Sequence, residues 1–320
     1  MDDRRDDSFG TAAYGGDGWS PRQSDHRDEL GTVWSANAID SEWRPLQAVI
    51  MHTPGDELAA GAADPNAVQM LAPVDVARAA EEHRAMIAAY EAAGVTVHQV
   101  APASAPPPNL MFCADLFVMT PAGAILARPA STVRAGEERW MARRLADLGV
   151  PIIRTLTGAA TFEGADLMWL DESTAAIGRG PRTNQAGIDQ VSVTLQEIGC
   201  GVIPVDLPYG AMHLMGLLRF LDRDLAIAWP RRTPHAAFEA LQRRGVQVEF
   251  PAFEDRAAHY RAVNFVTIGP RQILMPAGAD DVQSFYENLG VECRATPTEE
   301  LSKAAGNTGC LTGVLARELA

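Results

Sequence analysis

The sequence has little positive charge and no long apolar run. Lysine and arginine together number 27 against 41 aspartates and glutamates, which gives a formal net charge of −14. That balance argues against binding to nucleic acid or to an anionic membrane surface, because both need a basic face. No apolar run approaches the roughly 20 residues of a membrane-spanning helix. We therefore expect a soluble protein whose pocket suits a cation.

Cysteine is also scarce, and no pattern typical of a bound metal or cofactor is present. The four cysteines, at positions 113, 200, 293 and 310, form no Cys-x-x-Cys pair and no disulfide-dense spacing. No apolar segment follows the charged residues 1–6, so we expect no secretory signal and a reducing cytoplasm. The histidines lie far apart, and no glycine-rich phosphate loop precedes a helix, so we expect neither a metal nor a cofactor.

The chain divides by composition into a polar tail and one domain. Residues 1–35 are rich in Asp, Arg, Gly and Ser, and we expect them to be poorly ordered or to wrap on the surface. Hydrophobic residues make up 47% of the chain. We expect residues 36–320 to form a single globular domain.

A pattern of hairpin, helix and strand recurs at roughly fifty-residue spacing. In its clearest copy a hairpin over 116–127 precedes a helix from about 134 to 148 and a strand from 150 to 154. Three more copies follow, and an incomplete first copy lacks one strand, which the apolar segment 311–315 could supply. Such units must stack to bury their apolar faces. The sequence therefore predicts an α/β protein, a five-bladed α/β propeller of pseudo-fivefold ββαβ units closed by its C-terminal strand.

In a closed ring, equivalent positions of the units meet at the axis. The position before each hairpin holds Asp115, Glu163 to Asp166, His213, Asn264 and Cys310. Each has a packing alternative: the aspartates as turn or cap residues, Glu163 on a solvated loop, His213 as a core histidine, Cys310 as a small buried hydrophobe. Together, carboxylate, imidazole and thiol in one cavity are typical of a nucleophile, its base and an orienting acid.

Five motifs then carry a resemblance to a known family. They are Phe112-Cys113-Ala114-Asp115, Phe162-Glu163-Gly164-Ala165-Asp166, Gly180-Pro181-Arg182-Thr183-Asn184, His213-Leu214-Met215 and Gly309-Cys310. As a set, and in this order, the motifs resemble the guanidine-modifying (pentein) superfamily, which includes arginine deiminase, dimethylarginine dimethylaminohydrolase and the amidinotransferases.

The resemblance implies a role for each matched residue. Asp115 would bind the guanidinium, and Cys310 would attack its central carbon to form a covalent S-alkylthiouronium. His213 would act as general acid and then as general base, oriented by Glu163. Arg128 and Arg182 match positions that bind the substrate's α-carboxylate, although a lone arginine is by default on the surface. Asp166 and Asn264 are expected to line the substrate site.

Two positions depart from the family pattern and leave the substrate open. Met215 stands where arginine deiminases and amidinotransferases usually carry an Asp, and Ala114 stands where dimethylarginine hydrolases tend to have a Glu. The hypothesis is a cytoplasmic hydrolase of arginine or a substituted arginine, giving a citrulline-like product. The alternatives are transfer of the amidino group to an amine and a non-catalytic binding protein. A homodimer is left open.

Overall fold

Each repeat of the sequence forms a small three-stranded sheet. The computed structural model describes residues 7–251 and 263–320. Within these residues, the five sheets contact one another in sequence, and the fifth contacts the first through β1 and β12. In chain order the strands are β1 (Leu46–Met51), β2 (Thr96–Gln99), β3 (Phe117–Thr120), β4 (Gly123–Leu126), β5 (Ile152–Thr155), β6 (Leu167–Asp171), β7 (Thr174–Arg179), β8 (Gly201–Asp206), β9 (Leu218–Asp222), β10 (Leu225–Ala228), β11 (Gln247–Glu249), β12 (Val266–Gly269), β13 (Gln272–Pro276), β14 (Glu292–Thr296) and β15 (Gly313–Arg317).

All five sheets have the same topology. The middle strand pairs antiparallel with one neighbour and parallel with the other, as β4 does with β3 and β5. A crossover helix joins the two parallel strands, which a parallel pair requires. The predicted five-bladed α/β propeller of ββαβ units is confirmed. The helices are α1 (Val76–Ala92), α2 (Glu138–Asp147), α3 (Gln185–Glu197), α4 (His235–Gln242), α5 (Asp280–Asn288), α6 (Glu299–Ser302) and α7 (Thr308–Leu311).

The ring is closed by pairing between the two ends of the domain. Strand β15 lies antiparallel to β1, with Val314 opposite Val49. The sequence predicts a closing strand over 311–315, and the strand begins two residues later, at Gly313. The difference arises because Asn307 caps the short helix α7, its side chain accepting a 2.7 Å hydrogen bond from the Thr308 N–H. Cys310 therefore sits on a helical turn and not in the strand.

A second difference lies before α2. The predicted helix from 134 to 148 begins only at Glu138, and residues Thr132–Arg134 form a separate 3₁₀ turn capped by Ser131. The reason is that the Arg134 side chain turns into the protein, where it is 2% exposed and surrounded by carboxylates. A residue on the outer face of α2 could not reach them.

The core lies between the sheets and under the crossover helices. Strands β3 and β4 are buried at every position, since helices cover one face and neighbouring sheets the other. Trp169 is fully buried, and its Nε1–H donates to the Met119 carbonyl of the adjacent sheet. Each crossover helix is followed by a glycine with positive φ, which ends the helix and turns the chain back to the sheet; these are Gly94, Gly149, Gly199, Gly245 and Gly290.

Residues 7–35 lie mostly exposed and contain short 3₁₀ turns. The Ser35 N–H donates to the Gly149 carbonyl, and Arg27 donates to the Ile198 carbonyl, so this segment touches the ends of two helices. Residues 1–6 of the expected tail lie outside the described residues. Of the helices in the described ranges, none is long and apolar enough to cross a bilayer.

Candidate active site

One-turn helices lead into the hairpins and bring the predicted side chains to the axis. Turns at Cys113–Asp115, Gly164–Asp166 and Leu214–Gly216 precede β3, β6 and β9, and α7 precedes β15. Neighbouring turns contact each other across the ring. The turns pack closely against one another, because a side chain at Gly164 would overlap the carbonyl oxygens of Ala114 and Phe117. Residues nearly 200 positions apart in the chain, such as Asp115 and Cys310, therefore border one cavity.

That small cavity, of about 20 Å³, is lined by half of the eight predicted site residues. Asp115, His213, Cys310 and Arg182 line it, together with Arg134, which the sequence analysis missed. The remaining described residues that line it are Gln69, Asn109, Phe112, Met212, Ala304, Ala305 and Gly306. Gly306 admits the Phe112 ring, since a Cβ at that position would overlap it. We call this space the charged cavity.

Arg134 is the centre of a buried ion-pair cluster. Its Nη1–H donates to Asp115 Oδ2 at 2.6 Å, and its Nε–H and Nη2–H donate to Glu137 Oε2 at 3.0 and 2.8 Å. Glu163 Oε2 lies 3.4 Å from the same Nη1. Burial raises the pKa of Glu137 to about 7, although the Arg134 charge opposes the rise. The cluster thus holds more carboxylate than its one arginine neutralises.

Asp115 keeps one oxygen free for a ligand. Its Oδ2 is bonded to Arg134, whereas Oδ1 is buried and has no hydrogen-bond partner among the described residues. That oxygen lies 3.9 Å from His213 Nδ1. A buried acceptor without a partner carries an energetic penalty on the order of 1–3 kcal/mol, so its place beside a cavity points to a ligand with N–H groups.

Glu163 holds the imidazole of His213. His213 Nε2–H donates to Glu163 Oε2 at 2.7 Å, and both residues are buried. Burial disfavours the charged imidazole, but the carboxylates of Asp115, Glu163 and Asp166 outweigh it and raise the pKa of His213 to about 9. Burial acts against ionised Glu163 too, yet the hydrogen bond from His213 and the nearby cations bring its pKa below the usual range. The geometry favours a charged pair with Nδ1–H directed away from Glu163.

Asp166 does not line the charged cavity, and its hydrogen bonds hold the backbone next to His213. Its Oδ2 accepts a 2.6 Å hydrogen bond from the Thr183 hydroxyl, and its Oδ1 accepts a 3.0 Å hydrogen bond from the Leu214 N–H. Burial raises the pKa of Asp166 to about 6. Because Leu214 follows His213, these bonds fix the backbone that carries the imidazole.

The side chain of Asn264 holds Cys310 from two directions. Its Nδ2–H donates to the Cys310 sulfur at 2.9 Å, and its Oδ1 accepts from the Cys310 N–H at 3.1 Å. Burial and the Asp115 charge raise the pKa of the thiol, while the Asn264 hydrogen bond and the Arg219 charge act in the opposite direction. The sulfur is therefore mainly a neutral thiol at pH 7 until a cation enters the charged cavity.

Arg219 lies behind the thiol, in an axial cavity of about 70 Å³ that Arg317 also lines. Its guanidinium donates to the Phe265 carbonyl and packs against Gly309, the residue before Cys310. Arg219, like Arg134, was not among the predicted site residues. A signal was available, since Arg219 is the one charged residue within the apolar strand segment 218–221.

The two predicted carboxylate-binding arginines are placed differently. Arg182 lines the charged cavity, and its Nη1 lies 3.4 Å from Glu163 Oε1. Arg128 instead donates to the Ala160 carbonyl at 2.9 Å, and it is not among the described residues that line the charged cavity. Arg134 lies closer to the other site residues, and its position between a hairpin and a crossover helix, like that of Arg182, is the signal that could have identified it.

Asp115, Glu163 and His213 bring three potential metal-ligand atoms within 4.8 Å of one another. However, Arg134 already bridges the two carboxylates, and His213 Nε2 is hydrogen-bonded to one of them. A divalent ion would have to displace the guanidinium and deprotonate an imidazole whose pKa is raised. The donor set therefore fits a guanidinium better than a metal.

A second, larger cavity of about 300 Å³ also borders Cys310 and His213. Its described lining combines apolar side chains, among them Met215 and Trp229, with the polar side chains of Asn264 and Arg232. Cys310, His213, Met212 and Ala305 border both cavities. We call this second space the outer cavity.

The comparisons with known proteins agree with this geometry. The chain is 28% identical over 246 residues to N(G),N(G)-dimethylarginine dimethylaminohydrolase of Streptomyces coelicolor, covering 77% of this chain and 89% of that protein. Similar solved structures include a Pseudomonas aeruginosa dimethylarginine dimethylaminohydrolase complexed with citrulline (23% identity, TM-score 0.70, 86% of this chain and 100% of that one). They also include an amidinotransferase of saxitoxin biosynthesis from Microseira wollei (16% identity, TM-score 0.71, 89% and 98%). The family profile of arginine deiminase matches residues 70–238, more than half of the chain. The chain belongs to the arginine deiminase family, within the guanidine-modifying (pentein) superfamily.

Proposed function

We propose that the protein is a cysteine-dependent C–N hydrolase acting on the guanidinium group of arginine or a substituted arginine. It would release ammonia or an alkylamine and leave a citrulline-like ureido product. The observation that carries the proposal is the free Oδ1 of Asp115, which lies 3.9 Å from His213 Nδ1 at the cavity that Cys310 borders. An N–H acceptor, a proton donor and a nucleophile thus face one small space.

The charge of the site supports a cationic guest. Four carboxylates (Asp115, Glu137, Glu163 and Asp166) surround three cationic side chains (Arg134, Arg182 and His213). With all four carboxylates ionised the surplus is one negative charge, and burial raises the pKa values of Glu137 and Asp166, which reduces that surplus at neutral pH. A planar guanidinium would offset it and satisfy Asp115 Oδ1 with its N–H groups.

The first chemical step follows from the protonation states. The bound cation lowers the pKa of the Cys310 thiol, the thiol loses its proton to solvent, and the resulting thiolate attacks the central guanidinium carbon. A C–S bond forms, the C–N bond to the leaving amine breaks, and His213 Nδ1–H protonates that amine. The product is a thiouronium on Cys310.

In the second step His213, now neutral at Nδ1, accepts a proton from water. The hydroxide adds to the thiouronium carbon, the C–S bond breaks, the hydroxyl proton passes to the departing sulfur, and the ureido product leaves with the thiol restored. Glu163 keeps Nε2 protonated throughout, so that Nδ1 is the nitrogen that exchanges protons.

The amino-acid part of the substrate has cationic partners at the charged cavity. Arg182 is the candidate ligand for an α-carboxylate, with Arg134 next to it. Arg128 stays a candidate for the same role, although its Nη1–H donates to the Ala160 carbonyl and it is not among the described residues that line the charged cavity. Met215, a thioether in place of a second carboxylate, supports a substrate whose guanidinium carries an alkyl substituent.

An amidinotransferase is the second candidate, in which an amine replaces water in the second step. Two observations support the amidinotransferase as a second candidate function. One is the similarity in fold to the amidinotransferase of Microseira wollei, and the other is the outer cavity beside Cys310, which offers an amine a route to the thiouronium.

The test is product analysis by mass spectrometry. The purified protein would be incubated with L-arginine and with its N-methyl and N,N-dimethyl derivatives, each with and without glycine. We expect ureido product, with the substituted substrates preferred, and an acid-quenched adduct on Cys310. Transfer of the amidino group to glycine would favour the second candidate. Absence of product and of adduct with every guanidine would refute both.

A further inference from the structure

Two arginines face the axial cavity, the space of about 70 Å³ behind Cys310. Arg219 belongs to β9, and Arg317 is the last residue of β15. Arg317 is only 3% exposed, and the Nε atoms of both arginines are buried with no hydrogen-bond partner in the described part of the chain. Because buried cations are normally paired, two guanidinium groups at one internal space indicate a negatively charged ligand.

The contacts of the two arginines do not neutralise their charges. Arg219 donates to the Phe265 carbonyl, and its guanidinium carbon lies 5.8 Å from the centroid of the Phe265 ring. Arg317 donates to the Arg44 carbonyl at 2.7 Å. A carbonyl or a ring face stabilises a guanidinium but leaves its charge in place. Neither arginine forms an ion pair with a carboxylate of a described residue.

Glu42 is the one acidic side chain among the described residues that line the axial cavity. Its Oε1 accepts a 3.1 Å hydrogen bond from the Trp169 N–H, and its charge acts on the arginines from a distance. Burial lowers the pKa of Arg317 to about 10; the Glu42 charge opposes this fall, and the Arg219 charge adds to it. Two positive charges against one negative charge leave a surplus of one positive charge in the cavity wall.

The size of the axial cavity limits what can offset that surplus. If a water molecule takes about 30 Å³, the cavity of about 70 Å³ holds roughly two groups of that size. A chloride ion is only slightly larger than a water molecule, whereas sulfate has five atoms and a second charge. Glu42, Arg219 and Val314 are only half-buried, and the cavity is not enclosed, so a small ion can enter from solvent.

We propose that the axial cavity binds one small monovalent anion, such as chloride, between Arg219 and Arg317. The ion accepts hydrogen bonds from guanidinium N–H groups and offsets the surplus charge. No step of the proposed function depends on it.

The anion should also affect the proposed nucleophile. The Arg219 charge opposes the rise in the pKa of the Cys310 thiol that burial and Asp115 cause. An anion beside Arg219 weakens that influence, so the thiolate should form less readily when the ion is bound.

The site can be tested directly with halide ions. Crystals of the full chain soaked in sodium bromide should give an anomalous scattering peak between the two guanidinium groups. In solution, the Tm should rise with the concentration of sodium chloride relative to sodium gluconate at equal ionic strength, because a ligand of the folded state stabilises it. A cavity that holds only water in the bromide crystals, or an equal Tm in the two salts at every concentration, would overturn the inference.

Two variants should change the binding in opposite directions. Arg317→Met should remove the bromide peak and the chloride-dependent rise in Tm. Glu42→Gln keeps an oxygen for the Trp169 N–H but removes the competing charge, so the chloride concentration at half of the effect should fall several-fold. Arg243→Met is the matched control, since Arg243 is exposed, pairs with Glu239 and is not among the described residues that line the axial cavity.

Persistence of the bromide peak in Arg317→Met would show an adventitious ion only, and weaker chloride binding by Glu42→Gln would also overturn the inference. If Arg317→Met does not fold, Glu42→Gln alone decides. These readouts need no turnover, so they are independent of whether the proposed function holds.

The effect on the thiol has its own assay. Alkylation of Cys310 by N-ethylmaleimide, followed on its peptide by mass spectrometry, should be about twofold or more slower in chloride than in gluconate, and Arg317→Met should remove the difference. Equal rates in the two salts for the wild type would rule out this effect.

Discussion

The side-chain nitrogen of Asn264 lies 2.9 Å from the Cys310 sulfur, and the amide oxygen of the same residue accepts the Cys310 N–H. Asn264 precedes β12 in the fifth unit, whereas Cys310 lies on α7, just before the strand that closes the first. The bond therefore joins the two units at which the ring closes. It fixes the thiol in one orientation and helps to stabilise its anion.

Replacement of Cys310 by Ala should abolish turnover. The proposed mechanism has no nucleophile without the sulfur, so kcat should fall by at least about 10³-fold, as in other enzymes that lose a nucleophile. Cys293→Ala is the matched control, because Cys293 is half-buried on β14, away from both cavities. The measurement is steady-state product formation, with circular dichroism to check folding. Retention of more than a few per cent of activity by a folded Cys310→Ala would show that the nucleophile is misassigned.

Glu163→Gln should lower the pKa of His213. Burial lowers this pKa in the wild type, but the neighbouring carboxylates outweigh burial and raise it to about 9. Loss of the hydrogen-bonded carboxylate should reduce that value by about one unit or more. Because the folded pKa of His213 is raised, the charged pair stabilises the protein fully just below pH 6.5 and loses its effect as the pH rises through 9. Its effect is also lost at strongly acidic pH, as the pH falls through the lowered pKa of Glu163. Glu163→Gln should therefore be less stable than the wild type mainly near and just below pH 6.5, and the difference should disappear as the pH rises through 9.

The pKa is measured by NMR of the imidazole, and its resonance is assigned by its absence in His213→Gln. Glu137→Gln serves as the comparison, since Glu137 bonds Arg134 and not the histidine. An unchanged imidazole pKa in Glu163→Gln, or an equal fall in both variants, would contradict the assignment of Glu163 as the residue that holds His213.

Arg219→Met should make the thiol harder to ionise. Burial and Asp115 raise the pKa of Cys310, and the Arg219 charge works against that rise. Without the guanidinium, alkylation by iodoacetamide at pH 8 should slow several-fold and its pH profile should move upward. Arg317→Met is the control, since Arg317 lines the same axial cavity but donates to the Arg44 carbonyl. Identical alkylation profiles in Arg219→Met and wild type would rule out this influence.

Gly309→Ala should damage both stability and activity. A Cβ at this position would overlap the Arg219 guanidinium and lie 2.6 Å from Asn264 Oδ1, so the bond that holds Cys310 must shift. We expect a lower Tm and a loss of activity of about 10²-fold, as displacement of a reacting group by about 1 Å implies. Gly269→Ala is the control, because its Cβ would make only ordinary contact with Gln272. Wild-type behaviour of Gly309→Ala would mean that the packing behind the sulfur is loose.

Chelators should leave activity within about twofold of the untreated protein. The carboxylates of Asp115 and Glu163 are bridged by Arg134, whose positive charge excludes a divalent cation from the same space. The measurement is turnover after dialysis against EDTA, followed by addition of Mg²⁺, Mn²⁺ or Zn²⁺. A loss of activity that one of these ions restores would show that a metal occupies the cluster.

The sequence was sufficient for the architecture because the repeat is strong. Alternating hairpins, helices and strands, each helix followed by a glycine, recur often enough to predict five equivalent sheets, and the sheet topology confirms them. Boundaries were less accurate where a side chain competes with helix propensity. Arg134 leaves the expected helix because ion pairs to buried carboxylates hold it inward, and no local pattern reveals a partner so far from α2.

The candidate site was predictable to the extent that it follows from ring symmetry. Asp115, Glu163, His213, Asn264 and Cys310 occupy equivalent positions, and the structure brings them together around the axis. Arg134 and Arg219 do not follow from that rule, and Asp166, which does, has a different role. Asp166 points at a backbone N–H, and the two arginines enter from other segments. Side-chain direction depends on tertiary contacts that periodicity does not encode.

Pairing of β15 with β1 has a consequence for how the protein is made. The proposed nucleophile lies between the fifth unit and the closing strand, and about 260 residues separate the two strands that meet there. On the ribosome, the earlier blades can form while this seam is still open. A nascent chain would therefore contain Asp115 and His213 before Cys310, and under the proposed mechanism it could not attack a guanidine until synthesis has passed the seam.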